Sequence, residues 1–186
     1  VATSGGWSAA VHLSSQTGVK PVWDNEILSF RPGQAVQSQK SVGACNGSFE
    51  LKECIEDGIS VGASEAKRLG FGSGKPKQKI DLPENKSEHP TQELFCLPHF
   101  KSLSRAPKQF VDQQLDVTAG SIELAAREGF ESVEHVKRYT ALGFGTDQGK
   151  LSNVNGMAIL ANALGKSIAE TLSLIHISEP TRPSRI

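Results

Sequence analysis

The sequence predicts an α/β fragment of a dinucleotide-binding domain joined to a small all-α module, on three observations. A small-residue turn, ValAlaThrSerGlyGly, stands at 1–6; a glycine turn, SerValGlyAlaCysAsnGly, at 41–47 runs into a long amphipathic pattern; and three capped helical patterns follow between 110 and 165. With 186 residues, 37% hydrophobic and 22% charged, the chain has the composition of an ordinary globular protein of one domain or two small ones.

Each element has a local reason. Small residues at 1–6 let the backbone turn sharply at a strand end, where a dinucleotide can approach. The 41–47 segment reads as a strand, a glycine turn and a helix start, whose free N–H groups and dipole suit a pyrophosphate. A tight turn without ligand fits the same residues. Thr3, Gly5, Gly6, Gly43, Ala44, Asn46 and Gly47 are therefore the candidate nucleotide-binding residues. The helix is expected over 48–69, with Leu51, Ile55, Ile59, Gly62 and Ala66 on one face. Gly58 and Gly62 each weaken a helix by about 1 kcal/mol relative to Ala, which predicts that this face packs closely on a sheet. The domain piece thus covers 1–71.

Residues 72–109 turn to Lys, Pro, Ser and Glu and read as a linker or surface excursion. Within it, LeuPheCysLeuPro at 94–98 fits a short strand or a docking point. The helical module covers 110–171. Thr118 caps a helix through Arg127 that stops at Gly129, Ser132 caps one that stops at Gly143, and Ser152 or Asn153 caps a third ending at Gly165. Met157, Leu160, Ala161 and Leu164 form a stripe on the third helix, read as core.

Twenty basic residues balance twenty acidic ones, so no global field draws nucleic acid or an anionic membrane. No run reaches the roughly 18 apolar residues of a membrane span, and the start lacks a signal-peptide pattern. A cytoplasmic protein is expected. Cys45, Cys54 and Cys96 lack metal-site spacings and read as small hydrophobes. The five His residues sit apart, and no nucleophilic set stands out; His12 and His99 read as structural or solvated. Met157 is the only Met, so Val1 is not read as a natural start. The stretch from Leu172, LeuSerLeuIleHisIleSerGluProThrArg, resembles a translated sequencing adapter, and 172–186 is set aside as an expected artefact.

A family resemblance rests on ThrSerGlyGlyTrpSerAlaAlaValHisLeuSerSerGln from Thr3 and ValTrpAsp at 22–24. It is stronger in PheValAsp at 110–112, AspValThr at 116–118, ArgGluGlyPheGluSerValGluHisValLysArgTyrThr at 127–140 and ThrAspGlnGlyLys at 146–150. These segments resemble the alpha subunit of heterotetrameric sarcosine oxidase and cover most of 1–171 outside the linker. The resemblance implies an oxidoreductase acting on the CH–NH group of sarcosine, giving glycine, a one-carbon unit and hydrogen peroxide. It implies beta, gamma and delta subunits as partners, NAD on the alpha subunit, FAD in the beta subunit and FMN between alpha and beta, attached to beta. Tetrahydrofolate would belong to a further domain, absent from this sequence, and the fragment alone is expected to be inactive.

Two departures sharpen this reading. Related flavoproteins carry a GlyAsp pair for the FAD ribityl chain, where this chain has Gly43-Ala44. Sister subunits of amino-acid and opine dehydrogenases carry a [2Fe–2S] domain whose four cysteines fall here on Asp112, Gln114, Asp147 and Ser152. A cluster needs four thiolates, so the module resembles such a domain without its cluster. In its place, Lys137, Arg138 or Lys150 is expected to touch the FMN phosphate or line its cavity, with His135, Thr146 and Gln148 nearby; a solvated basic face or an ordinary subunit interface fits the same residues. The alternatives are a dehydrogenase alpha subunit that passes electrons to a carrier, and a non-catalytic subunit-interaction module. An incomplete nucleotide domain exposes a sheet edge and apolar surface, which predicts poor solubility.

Overall fold

The computed structural model describes residues 7–75 and 92–171. Thr3, Gly5 and Gly6, the middle of the excursion and the 172–186 tail lie outside these residues. The chain divides into two compact units, Val1–Gln92 and Glu93–Ile186. Both contain short helices and short sheets, so the mixed α/β character expected of the chain holds.

In the first unit a short helix α1 (His12–Ser15) precedes an antiparallel pair, β1 (Val22–Asp24) and β2 (Ser29–Arg31), with Trp23 opposite Phe30. Their rings meet edge to face at 4.9 Å, a geometry aromatic quadrupoles favour. Arg31 Nε sits 2.6 Å from Asp24 Oδ2 and ties the two strands' far ends. Ser29, buried in β2, accepts the Ala9 N–H at 2.9 Å and so anchors the chain before α1.

The expected strand before Gly43 does not form. Val42 is extended, but Gly43–Asn46 is a single 3-10 turn that closes at Gly47 with φ +90°. Among the described residues no strand pairs with Ser41 and Val42, and two positive-φ glycines, Gly43 and Gly47, bend the chain instead.

Helix α2 spans Leu51–Arg68, close to the expected 48–69. Its expected packing face is a different matter. None of its residues is buried, and an added Cβ at Gly58 or Gly62 would meet nothing within 4 Å. Close packing on a sheet is therefore absent among the described residues. Ile55, Ile59 and Ala66 are half-buried while Leu51 lies open.

The second unit is built around an antiparallel pair as well as helices, which corrects the all-α expectation. β3 (Phe110–Asp112) pairs with β4 (Val117–Thr118) across a bulge between Phe110 and Asp112. The 94–98 segment is bent, not a strand. Its docking point is Gln109, whose Oε1 accepts the Leu97 N–H at 2.7 Å and the Cys96 thiol at 3.0 Å while its Nε2 donates to Leu97 O.

Three helices follow: α3 (Ala119–Arg127), α4 (Val133–Thr140) and α5 (Asn153–Leu164), with a final turn, α6 (Ile168–Thr171). Thr118 caps α3 as expected, its Oγ1 accepting the Ser121 N–H at 3.1 Å. Helix α4 ends sooner than Gly143, because Ala141 takes the left-handed conformation at φ +63°. Ser152 caps α5 by position but makes no side-chain bond to the helix; Gly165 closes it at φ +64°. The core lies between these helices: Ile122 and Ala125 of α3, Val133 and Val136 of α4, Leu142, and Met157, Leu160 and Ala161 of α5. Three residues of the expected α5 stripe, Met157, Leu160 and Ala161, are core, while Leu164 at the helix end is half-buried; burial extends round the helix through Ala158 and Ile159. Among the described residues no helix is long and apolar enough to cross a membrane.

Candidate functional site

The most organised polar feature of the second unit is the connection between α4 and α5, residues 141–152. Its sequence places glycines at 143, 145 and 149, and each meets a side chain. An added Cβ at Gly143 would run into Asn153 Oδ1 and crowd Lys137 Cε at 3.1 Å; at Gly145 it would strike Gln114, and at Gly149 Asn153 again. The loop is wound around these side chains, and only glycine leaves room for them.

Two residues of the β3–β4 hairpin reach into this loop. Asp112 is 4% exposed. Its Oδ1 accepts the N–H groups of Gln114 and Leu115 at 3.0 and 3.2 Å, which shapes the hairpin turn. Its Oδ2 accepts the Gly143 N–H at 3.0 Å and the Ser152 hydroxyl at 3.4 Å, near the two ends of the loop. Gln114 Oε1 takes the Thr146 N–H at 2.6 Å and its hydroxyl at 2.9 Å, near the middle. Asp147 accepts the N–H groups of Gly149 and Leu151 and closes the last turn. A buried carboxylate is tolerated only when its lone pairs are satisfied, and here four donors do so.

This arrangement joins Asp112, Gln114 and Ser152, three of the four positions that the sequence reading sets against the cysteines of sister [2Fe–2S] domains. Asp112 and Ser152 are hydrogen-bonded to each other, and Gln114 is bonded to the residue before Asp147. No thiol is present at any of them, and no group of three potential metal ligands occurs among the described residues. The hairpin is held to the loop by hydrogen bonds.

The expected cationic site divides. Lys137 is 2% exposed, packed under Gly143 with its Nζ 5.7 Å from the Phe144 ring centroid, so it belongs to the interior. Its four-carbon stem fills space beneath the loop, and the ring face meets the ammonium. Arg138 and Lys150 are exposed, as are His135, Thr146 and Gln148. An exposed guanidinium and an ammonium on a loop pinned at several points have the donor chemistry a phosphate requires. Gln148 and Gly149 both hold positive φ, +52° and +76°, just before Lys150.

The 43–47 turn fits a nucleotide less well. The Gly47 N–H donates to Ala44 O and the Ser48 N–H to Gly43 O, so neither is left for a phosphate. A Cβ at Gly47 would press on Ile27 Cδ1 at 2.7 Å and Arg31 Nε at 3.2 Å; Gly43 packs against Cys54. Internal packing accounts for both glycines. Ala44 is exposed and Asn46 half-buried, and Glu50 and Glu53 at the start of α2 oppose an anion there.

Cysteine chemistry is muted. All three thiols are free and partly buried. Burial pushes the Cys96 thiol above its ordinary value of 9.0, and the nearby Glu123 carboxylate adds to the effect. His99 Nδ1 accepts the Lys101 N–H at 3.0 Å in an exposed turn, and His12 is half-buried in α1.

Residues 106–186 match the model of the sarcosine oxidase A3 domain. The chain is 35% identical over 168 residues to the sarcosine oxidase subunit alpha of Corynebacterium sp. (strain P-1), 89% of this chain and 17% of that protein. The chain belongs to the sarcosine oxidase alpha-subunit family. Similar relatives are the alpha subunits from Rhizobium meliloti (strain 1021), 34% identical over 170 residues, and Corynebacterium sp. (strain U-96), 33% identical over 168. The chain spans about 17% of the length of these sarcosine oxidase subunits. The hairpin, the α4–α5 loop and the helices around them all fall within the A3 match.

The role of Asp112 was not visible from its residue type, since its partners Gly143 and Ser152 lie 31 and 40 residues away. A signal was present in the spacing of Gly143, Gly145 and Gly149, which marks a loop in close contact with other groups. Asn153, noted only as a helix cap, is the side chain that two of these glycines enclose.

Proposed function

We propose that the chain is the part of a sarcosine oxidase alpha subunit that lies beside the flavin of the assembled enzyme. The complete enzyme would oxidise sarcosine to glycine, a one-carbon unit and hydrogen peroxide, with beta, gamma and delta subunits as partners. FAD would act in the beta subunit, FMN would lie where alpha and beta meet, and tetrahydrofolate would bind a domain outside this sequence. The observation that carries the reading is the match of 106–186 to the A3 domain, in which a pinned loop presents Lys150 and a neighbouring helix presents Arg138. These two, rather than the interior Lys137, would hold the FMN phosphate.

NAD binding by the complete subunit forms part of the reading through the resemblance of the first 71 residues. The 43–47 turn, with the Gly47 N–H and the following Ser48 N–H used internally, lends little support to a phosphate there.

The test is to express the full-length alpha subunit with its three partners and measure sarcosine-dependent peroxide formation and FMN content. A complex carrying R138A and K150A should assemble with reduced FMN. Full FMN loading in that variant would refute the phosphate contact, and a complex inert towards sarcosine would refute the activity.

A further inference from the structure

The side chain placed to control the α4–α5 loop is on neither helix. Asp112 holds the Gly143 N–H and the Ser152 hydroxyl with one carboxylate oxygen, and those two residues bracket the loop that carries Lys150. The other oxygen is bound to the hairpin's own N–H groups, so the carboxylate cannot turn away without breaking both sets. Gln114 adds a third point at Thr146. With both ends and the middle held, and with glycines at 143, 145 and 149 permitting only this close path, the backbone position of Lys150 is set by the hairpin.

We propose that Asp112 is a positioning residue for flavin binding: it fixes the loop so that Lys150 stands where the FMN phosphate arrives. This rests on the reading that Lys150 meets that phosphate. Asp112 would touch no flavin atom; it acts through the loop. Replacement by Asn keeps the shape but can turn an N–H donor toward the Gly143 N–H, and an uncharged acceptor holds both donors less tightly. The loop then loses its fixed register while the apolar core between α3 and α5 is untouched.

The experiment uses the complete four-subunit enzyme assembled without FMN and follows, by the visible flavin spectrum, the FMN concentration that gives half the maximal rate of attachment to the beta subunit. Loss of the charge-assisted contact in K150A should raise that concentration about tenfold. D112N should raise it by a similar factor, and the D112N/K150A double variant should be no worse than K150A alone, because both act on one contact. Should D112N fail to assemble, S152A removes one partner of the carboxylate and should show a smaller rise with the same non-additivity. A D112N effect that adds fully to K150A, or no effect of D112N and S152A where K150A has one, would overturn the positioning role while leaving the phosphate contact intact. If K150A itself loads normally, the phosphate reading and the inference built on it both fall.

Discussion

Replacing Gly156 by Ala tests the packing of α5 against the segment after α4. Gly156 is buried in α5, and a methyl group there would meet three atoms of Leu142, the nearest well inside the 3.0 Å that real contacts respect and the others at 3.3 and 3.4 Å. Leu142 is 0% exposed, so its side chain can yield only by shifting within the core. Overpacking of this kind costs about 1–3 kcal/mol, while Ala in a helix interior gains about 1 kcal/mol over Gly. The net expectation for G156A is a destabilisation of about 1 kcal/mol. In an L142A background the overlap is gone and the same change should stabilise by about 1 kcal/mol, giving a coupling of about 2 kcal/mol. Hydrogen exchange of the α5 amides, read by mass spectrometry in all four proteins, measures these differences locally. If G156A stabilises α5 equally in both backgrounds, Leu142 does not cover Gly156 and the packing described for α5 is wrong.

T118A should lower the stability of α3 by about 1 kcal/mol through loss of its cap, and T118S should restore it, as followed by exchange of the α3 amides. Glu131, bonded to Lys166, and Glu170, bonded to Ser167, both have carboxyl groups held below the ordinary value of 4.5. A depressed folded-state value gives stability that is complete above 4.5 and lost as pH falls through the lower value. E131Q/E170Q should therefore melt slightly below the wild type at neutral pH and converge with it in acid, which flattens the acid limb of the thermal-melting profile. Cys96 should react with iodoacetamide more slowly than an unstructured cysteine at pH 8, and E123Q should speed it by removing the neighbouring charge; equal rates would show that burial and Glu123 do not govern the thiol.

What the sequence revealed and what it concealed follow from range. Helix ends are local: Thr118, Gly129 and Gly165 act on residues three or four away, and the pattern over 110–165 yielded α3 and α5 nearly as observed. The stripe of Met157, Leu160 and Ala161 likewise needs only helical spacing to be read as core. Strand formation is not local. SerVal before Gly43 has strand-like composition, yet among the described residues no strand pairs with it and it forms none, whereas the brief β3–β4 pair arises in a segment read as helical module. Lys137 looked like a surface cation because lysine usually is one; its burial depends on Gly143 and Phe144 folding back over it, across a turn that helical periodicity does not describe. The α2 face was legible as amphipathic, but none of its residues is buried and no sheet packs on it among the described residues. For the candidate site, Arg138 and Lys150 were named from residue type, and the carboxylate that organises their surroundings was not.

The reach of Asp112 also bears on the order of folding. Its bonds to Gly143 and Ser152 span 31 and 40 residues of chain. Closing a loop of that length from the unfolded state costs about 3 kcal/mol in entropy by the logarithmic rule, more than such bonds offset on their own at the start. The hairpin, however, leads directly into α3, and the docking of α3 on α5 already closes the same loop. Once those helices meet, the carboxylate finds its donors with no further chain to organise. Substitutions at Asp112 should thus hasten unfolding and leave the folding rate nearly unchanged, so that the contact acts chiefly as a brake on the module's opening.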